Sequence, residues 1–142
     1  MKQLLLSFLL LERFVRLHIS ISAAVDRKVP LLGRWVSLVM DRALLTLCGI
    51  DLTSRSIRVR VLSISHPGGI LLGGNGIVSE GRVAIMSGVK FVGGRPDDPE
   101  YMMHHATGEV FRLGDNVVIG ANSVIVGPVE ICDDVLIGAM TL

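Results

Sequence analysis

Over the last half of the chain, apolar residues recur every six positions. Counting in sixes from Leu71 gives Leu71, Ile77, Val83 and Val89. From Phe111 the count gives Phe111, Val117, Ser123, Val129, Val135 and Thr141. A second register lies two residues on, at Ile85, Phe91, Leu113, Ile119, Ile125, Ile131 and Ile137. Between the registers stand turn formers: Gly114-Asp115-Asn116, Gly120-Ala121-Asn122, Gly127-Pro128 and Asp133-Asp134. A six-residue period predicts one short strand and one turn per hexad, three hexads closing a triangular coil. The fold class expected is mainly β, a left-handed parallel β-helix. Its coils stack about 4.8 Å apart, so that inward side chains form apolar columns.

Residues 1–50 follow another pattern. They read as two helices, from about Lys2 to Ser20 and from about Pro30 to Leu47. Pro30 suits a first helical turn and Gly49 a C-terminal stop. The expected organisation is therefore a helical segment over 1–50 and a β-helix over 51–142. The six-residue register breaks once, between Val89 and Phe111. There Gly93-Gly94-Arg95-Pro96-Asp97-Asp98-Pro99 cannot continue a strand, because proline withholds a donor and the acids favour turns. Residues of about 94–109 are predicted to leave the coil as a loop, and loops on rigid scaffolds often carry function.

Composition sharpens this picture. Half the residues are hydrophobic but aromatics make up only 4%, with 16 glycines, which suits thin Val/Ile/Leu layers between tight turns. A net charge of +1 lacks the basic surplus of a nucleic-acid binder. Cys48 and Cys132 form no C-x-x-C pair, so neither a disulfide framework nor a structural zinc site is expected. They read as two buried reduced thiols of a cytoplasmic protein. The apolar run Gln3–Leu11 falls short of the roughly 20 residues that span a bilayer. It meets Glu12, Arg13 and Arg16 without a cleavage signal, and reads as an amphipathic helix for a partner subunit or a membrane surface. The surplus of Lys2, Arg13, Arg16, Arg27, Lys28, Arg34 and Arg42 over Glu12, Asp26 and Asp41 is a solvated face, or else an attraction to anionic membrane or polysaccharide.

With helices, coils and loop in this order, the chain resembles the serine acetyltransferases and their shorter relatives in polysaccharide gene clusters. The resemblance rests on Asp51-Leu52, Ile64-Ser65-His66-Pro67-Gly68-Gly69-Ile70-Leu71-Leu72, Val83-Ala84-Ile85, Val89, Phe91, Gly93-Gly94 and Gly114 through Ala121. It implies an acetyl-CoA-dependent O-acetyltransferase with His66 as general base and Asp51, fifteen residues earlier, as its partner. With eighteen residues per regular coil, that offset also predicts Asp51 one layer below His66, near the same edge. A carboxylate there would fix the imidazole tautomer. Backbone amides at Gly93 and Gly94 are candidate oxyanion donors. The pantetheine arm is expected along a groove between subunits at Gly120, Ala121, Ser123 and Ala139. Ser65, Arg95, His104 and His105 are expected around the acceptor, and His18 reads as structural. The resemblance implies no metal, and a homotrimer that the helices could extend to a dimer of trimers. Cytoplasmic location is expected, with contact at the inner face of the membrane through the helices as a further option.

Two departures shape the substrate expectation. Serine acetyltransferases carry an aspartate directly before the catalytic histidine, and here Ser65 stands in its place, so a serine ammonium would lose its ionic partner. Only about 50 residues precede the coils, fewer than the long helical domain of those enzymes. A sugar or polysaccharide hydroxyl is therefore the expected acceptor, with serine O-acetylation the alternative. A non-catalytic trimeric scaffold and a metal-dependent carbonic-anhydrase-like enzyme are the rivals from other classes. The repeats end at Leu142, where relatives continue, so the chain reads as naturally short or as cut.

Overall fold

A computed structural model describes residues 2–142; side chains are described from residue 13 onward, apart from those of 26, 27 and 30–32. Two helices lead, α1 (Lys2–Lys28) and α2 (Pro30–Cys48). Then come β1 (Asp51–Leu52), a 3-10 turn (Ser54–Ser56), β2 (Ile57–Ile64), β3 (Leu71–Leu72), β4 (Ile77–Ile85) and β5 (Lys90–Val92). After α3 (Pro99–Thr107) follow β6 (Phe111–Leu113), β7 (Val117–Ile119), β8 (Val124–Val126), β9 (Val129–Ile131) and β10 (Leu136–Ile137).

Every strand pairing is parallel and joins successive coils, giving a three-sided β-helix. Face 1 stacks β1, β3, β5 and β8. Face 2 stacks the first halves of β2 and β4 with β6 and β9. Face 3 stacks their second halves with β7 and β10. Inward residues form the columns that the six-residue period predicts, among them Ile64, Ile85 and Ile119 on face 3. The two buried phenylalanines, Phe91 and Phe111, meet edge to face at 5.0 Å in the third coil, where the extruded segment leaves.

The period misplaces one residue. Leu71 is not inward: it is half-buried and outward, while Ile70 and Leu72 fill the core. The cause is one extra residue in the following corner, 73–76, which ends on Gly76 at φ +86°. Gly76 accepts from the Phe111 amide, and a Cβ there would run into the Gly108 carbonyl where the extruded segment rejoins the coil. Gly76→Ala is expected to cost about 2–4 kcal/mol, combining left-handed strain with overpacking. A lower urea midpoint at unchanged slope would register it.

The helices cap the first coil. α2 packs on β1, and α1 on the 3-10 turn and β2. Val15 and Leu44 join the core beside Ile50 and Leu52. A buried polar cluster ties this cap down. His18 Nε2 donates to Asp41 Oδ1 at 2.6 Å, and Asp41 Oδ2 accepts from the amide and hydroxyl of Ser54 at 3.1 and 3.2 Å. Two expectations need correction. The first helix runs eight residues past Ser20, to Lys28. Of the two free thiols, Cys48 is only half-buried, and Cys132 is exposed because it occupies an outward corner position.

Candidate active site

The three edges between faces hold the turns, and therefore the chemistry. The edge from face 3 to face 1 is built by the corners 65–69, 86–88, 120–122 and 138–140. The last three are tight, three-residue turns with a left-handed residue: Gly88, Asn122 and Met140. The first is longer by two residues, because Ile64 pairs with Ile85 and Leu71 with Lys90. The extra residues form a bulge that exposes His66 at φ +55°, anchored on one side by the Ser65 amide donating to the Ile85 carbonyl and on the other by buried Pro67. Histidine is among the few non-glycine types enriched in that backbone region.

Asp51 is the outward first residue of β1, paired with Leu71 one coil on. The first coil thus spans 20 residues on this face, not eighteen, so Asp51 lies under Leu71 and not under His66. It opens face 1 beside the edge over which the His66 bulge turns. Gly120, Ala121, Ser123 and Ala139 belong to this same edge, in the third and fourth coils. A Cβ on Gly120 would press into Ala139, so glycine is what lets these corners stack. Ser123 differs from its expected role. It is fully buried, and its hydroxyl bonds the Gly120 and Gly138 carbonyls at 2.9 and 2.7 Å, locking the corner instead of lining a groove.

The other expected residues lie elsewhere. Gly93, Gly94, Arg95, His104 and His105 occupy the edge from face 1 to face 2, where the chain leaves the coil. Within one chain they stand across face 1 from His66. The extruded segment is no plain loop, since it folds into α3. Asp98 caps this helix by accepting from the Glu100 amide, Pro99 takes its first turn, and Gly108 at φ +68° ends it. The same proline and acids that forbid a strand thereby start a helix. Tyr101 buries itself against the coil and donates to Asn75 Oδ1 at 3.2 Å. A Cβ on Gly93 would strike the Tyr101 hydroxyl and one on Gly94 the Gly127 carbonyl, so both glycines are already required by this packing. His105 is exposed and tilted against the Tyr101 ring at 5.7 Å; His104 is half-buried in the last turn.

The third edge holds a feature the periodicity did not reveal, an open cleft of about 870 Å³ lined by Arg58, Arg60, Arg82, Arg112, Asp115 and Glu130, among others. Its charges are largely matched internally. Glu109 lies 3.5 Å from both Arg58 and Arg112, and the amides of Arg82 and Asn116 hold the Asp115 carboxyl below its usual range. Outward residues differ by face. Face 2 presents the column Arg58, Val78, Arg112, Glu130. Face 3 presents Ser63, Ala84, Val118, Leu136, and face 1 presents Val92 and Val126 beside Leu71, Lys90 and Val124. Small and apolar residues therefore flank the His66 edge on the face 3 side, while face 1 mixes them with Asp51 and Lys90. No group of three or more His, Cys, Asp or Glu converges among the described residues.

Comparison with known proteins agrees with this architecture. Residues 112–142 match the family model "Bacterial transferase hexapeptide (six repeats)". A search of curated proteins found no match. Among solved structures, the chain is similar to serine acetyltransferase isoform 3 from Entamoeba histolytica, in complex with cysteine, at 21% identity and a TM-score of 0.53. The similarity covers 72% of this chain and 33% of that one, so the chain spans about a third of the length of the protein it matches. Residues 112–142 thus carry hexapeptide repeats of the bacterial transferase type, and the fold of the chain is that of a serine acetyltransferase-like left-handed β-helix.

Proposed function

We propose that this protein is an O-acetyltransferase that moves acetyl from acetyl-CoA to a hydroxyl of a sugar or polysaccharide, working as a homotrimer. The observation that carries the reading is the bulged corner: two extra residues present His66 on the edge that also holds Gly120, Ala121 and Ala139. In the reaction His66 accepts the proton of the acceptor hydroxyl as its oxygen attacks the thioester carbonyl. The tetrahedral oxyanion then collapses, expelling the CoA thiolate, which takes up a proton. Asp51, at the start of face 1, is the carboxylate we propose to stabilise the imidazolium.

Trimerisation completes the site. One chain separates His66 from the loop histidines by a whole face, whereas a cyclic trimer sets unlike edges of neighbours side by side. The small and apolar column of face 3, with Leu71, Val92, Val124 and Val126 on face 1, favours those sides for burial, and the more highly charged face 2 favours solvent. A site shared between subunits is also compatible with the arginine-lined cleft of the single chain lying away from His66. Light scattering should therefore give three chains per particle, and a monomer at micromolar concentration would remove the shared site.

Ser65 decides between acceptors. A hydroxyl beside the base offers no charge for an amino-acid ammonium, which favours a neutral sugar; the fold likeness to a serine acetyltransferase keeps L-serine as the second reading. Thiol release from acetyl-CoA should be slow with L-serine and faster with glycan fragments. Ser65→Asp should not raise serine turnover. A serine rate that exceeds the glycan rates would reverse the assignment.

A further inference from the structure

We propose that the helical cap docks the protein on an anionic lipid surface through the outer face of α2. Trp35, Val36, Val39, Ala43 and Leu47 recur at helical spacing on the side of α2 turned away from the coil. Trp35, Val39 and Leu47 are 65%, 66% and 82% exposed. Among described side chains, no other part of the molecule away from the last coil gathers so many exposed apolar groups on one element. Arg42 borders this stripe, and Arg34 stands at the far margin of the exposed arc, beyond exposed Leu38; both arginines are exposed. The single carboxylate of α2, Asp41, is turned inward and held by His18 and Ser54, so the outer surface combines apolar and cationic groups without an acid.

That combination selects the occupant. An apolar stripe bordered by arginines, with a tryptophan at its margin, suits the interface of an anionic membrane. A second copy docking through the same face would set Arg34 and Arg42 near their own counterparts, and α2 has no outward carboxylate to receive them. No described helix is long and apolar enough to cross a membrane, so the contact is with the surface. α1 carries a second exposed stripe, Phe14, Leu17 and Ile21, beside Arg13 and Arg16. The inference does not depend on the acetyl-transfer reading, and it would place the enzyme beside lipid-linked acceptors.

Trp35 is the only tryptophan in the chain, so its fluorescence reports this face directly. The full-length protein is mixed with vesicles of phosphatidylcholine alone, or of phosphatidylcholine with phosphatidylglycerol. The expected result is a blue shift, quenching by brominated acyl chains and co-sedimentation with the anionic vesicles only, weakened by added salt. The double variant R34E/R42E should lower the apparent affinity at least tenfold, with the far-UV spectrum and soluble thiol-release rate unchanged. Two outcomes overturn the proposal. One is an unchanged Trp35 spectrum on both vesicles. The other is a blue shift that follows protein concentration without lipid, with a doubled particle mass, which would make the face a contact between copies of the chain.

Discussion

His66→Asn is expected to lower acetyl transfer by about 10²–10⁴-fold, the contribution typical of a positioned general base, while leaving the fold untouched. The asymmetry follows from the corner. His66 points away from every inward column, and the coil is held on either side of it by Ile64, Pro67 and Ile70, which are buried. Asparagine accepts the left-handed backbone at φ +55° about as well as histidine, so the change removes the imidazole without new strain. His66→Gly is a second control. It relieves the left-handed conformation and should be equally slow. Steady-state thiol release, with thermal melting alongside, checks both. A variant within a few-fold of the parent rate would show that His66 moves no proton in the rate-determining step. Loss of rate together with a large fall in melting temperature would make the bulge structural.

Asp41→Ala is expected to be among the most damaging substitutions for stability, at about 3–5 kcal/mol, the scale of a buried pair losing one partner. The carboxylate serves three donors: His18 Nε2, the Ser54 amide and the Ser54 hydroxyl. Alanine leaves them without their acceptor in a region where His18 is 1% exposed and Ser54 wholly buried. Each buried donor left unsatisfied costs about 1–3 kcal/mol. The damage should start at the cap. Faster amide exchange over α1, α2 and the 3-10 turn should precede loss of the coils, because neighbouring layers of a solenoid are coupled only through their shared contacts. Asp41→Asn, which keeps one acceptor oxygen, should recover part of the loss. A melting temperature equal to the parent's would mean that water replaces the carboxylate and the cap is held by apolar packing alone.

How much of this was legible before folding depends on the range of the interaction. The stacked core was, because a six-residue period is local and each inward residue meets its equivalent one coil on. Leu71 escaped the count because an extra corner residue shifts the phase, and one glycine among 16 does not announce itself. The helix α3 was written in its ends, Asp98-Pro99 and Gly108, but those residues read equally as turn formers until Tyr101 found its place against Asn75. His18 and Asp41, 23 residues apart, gave no local sign of their pairing.

The chain's periodicity by itself determined the coils, the helical start and the point where the repeat is interrupted, since all of these follow from the spacing of apolar and turn-forming residues. Only the tertiary structure decided which edge each candidate occupies. Corner lengths decide this: the two-residue bulge before Leu71 turns a regular offset of eighteen into the twenty that separates Asp51 from Leu71. That added length sets Asp51 under Leu71 and lifts His66 outward, while the exit of the chain after Val92 places the loop histidines a full face away, where a neighbouring subunit would have to bring them back.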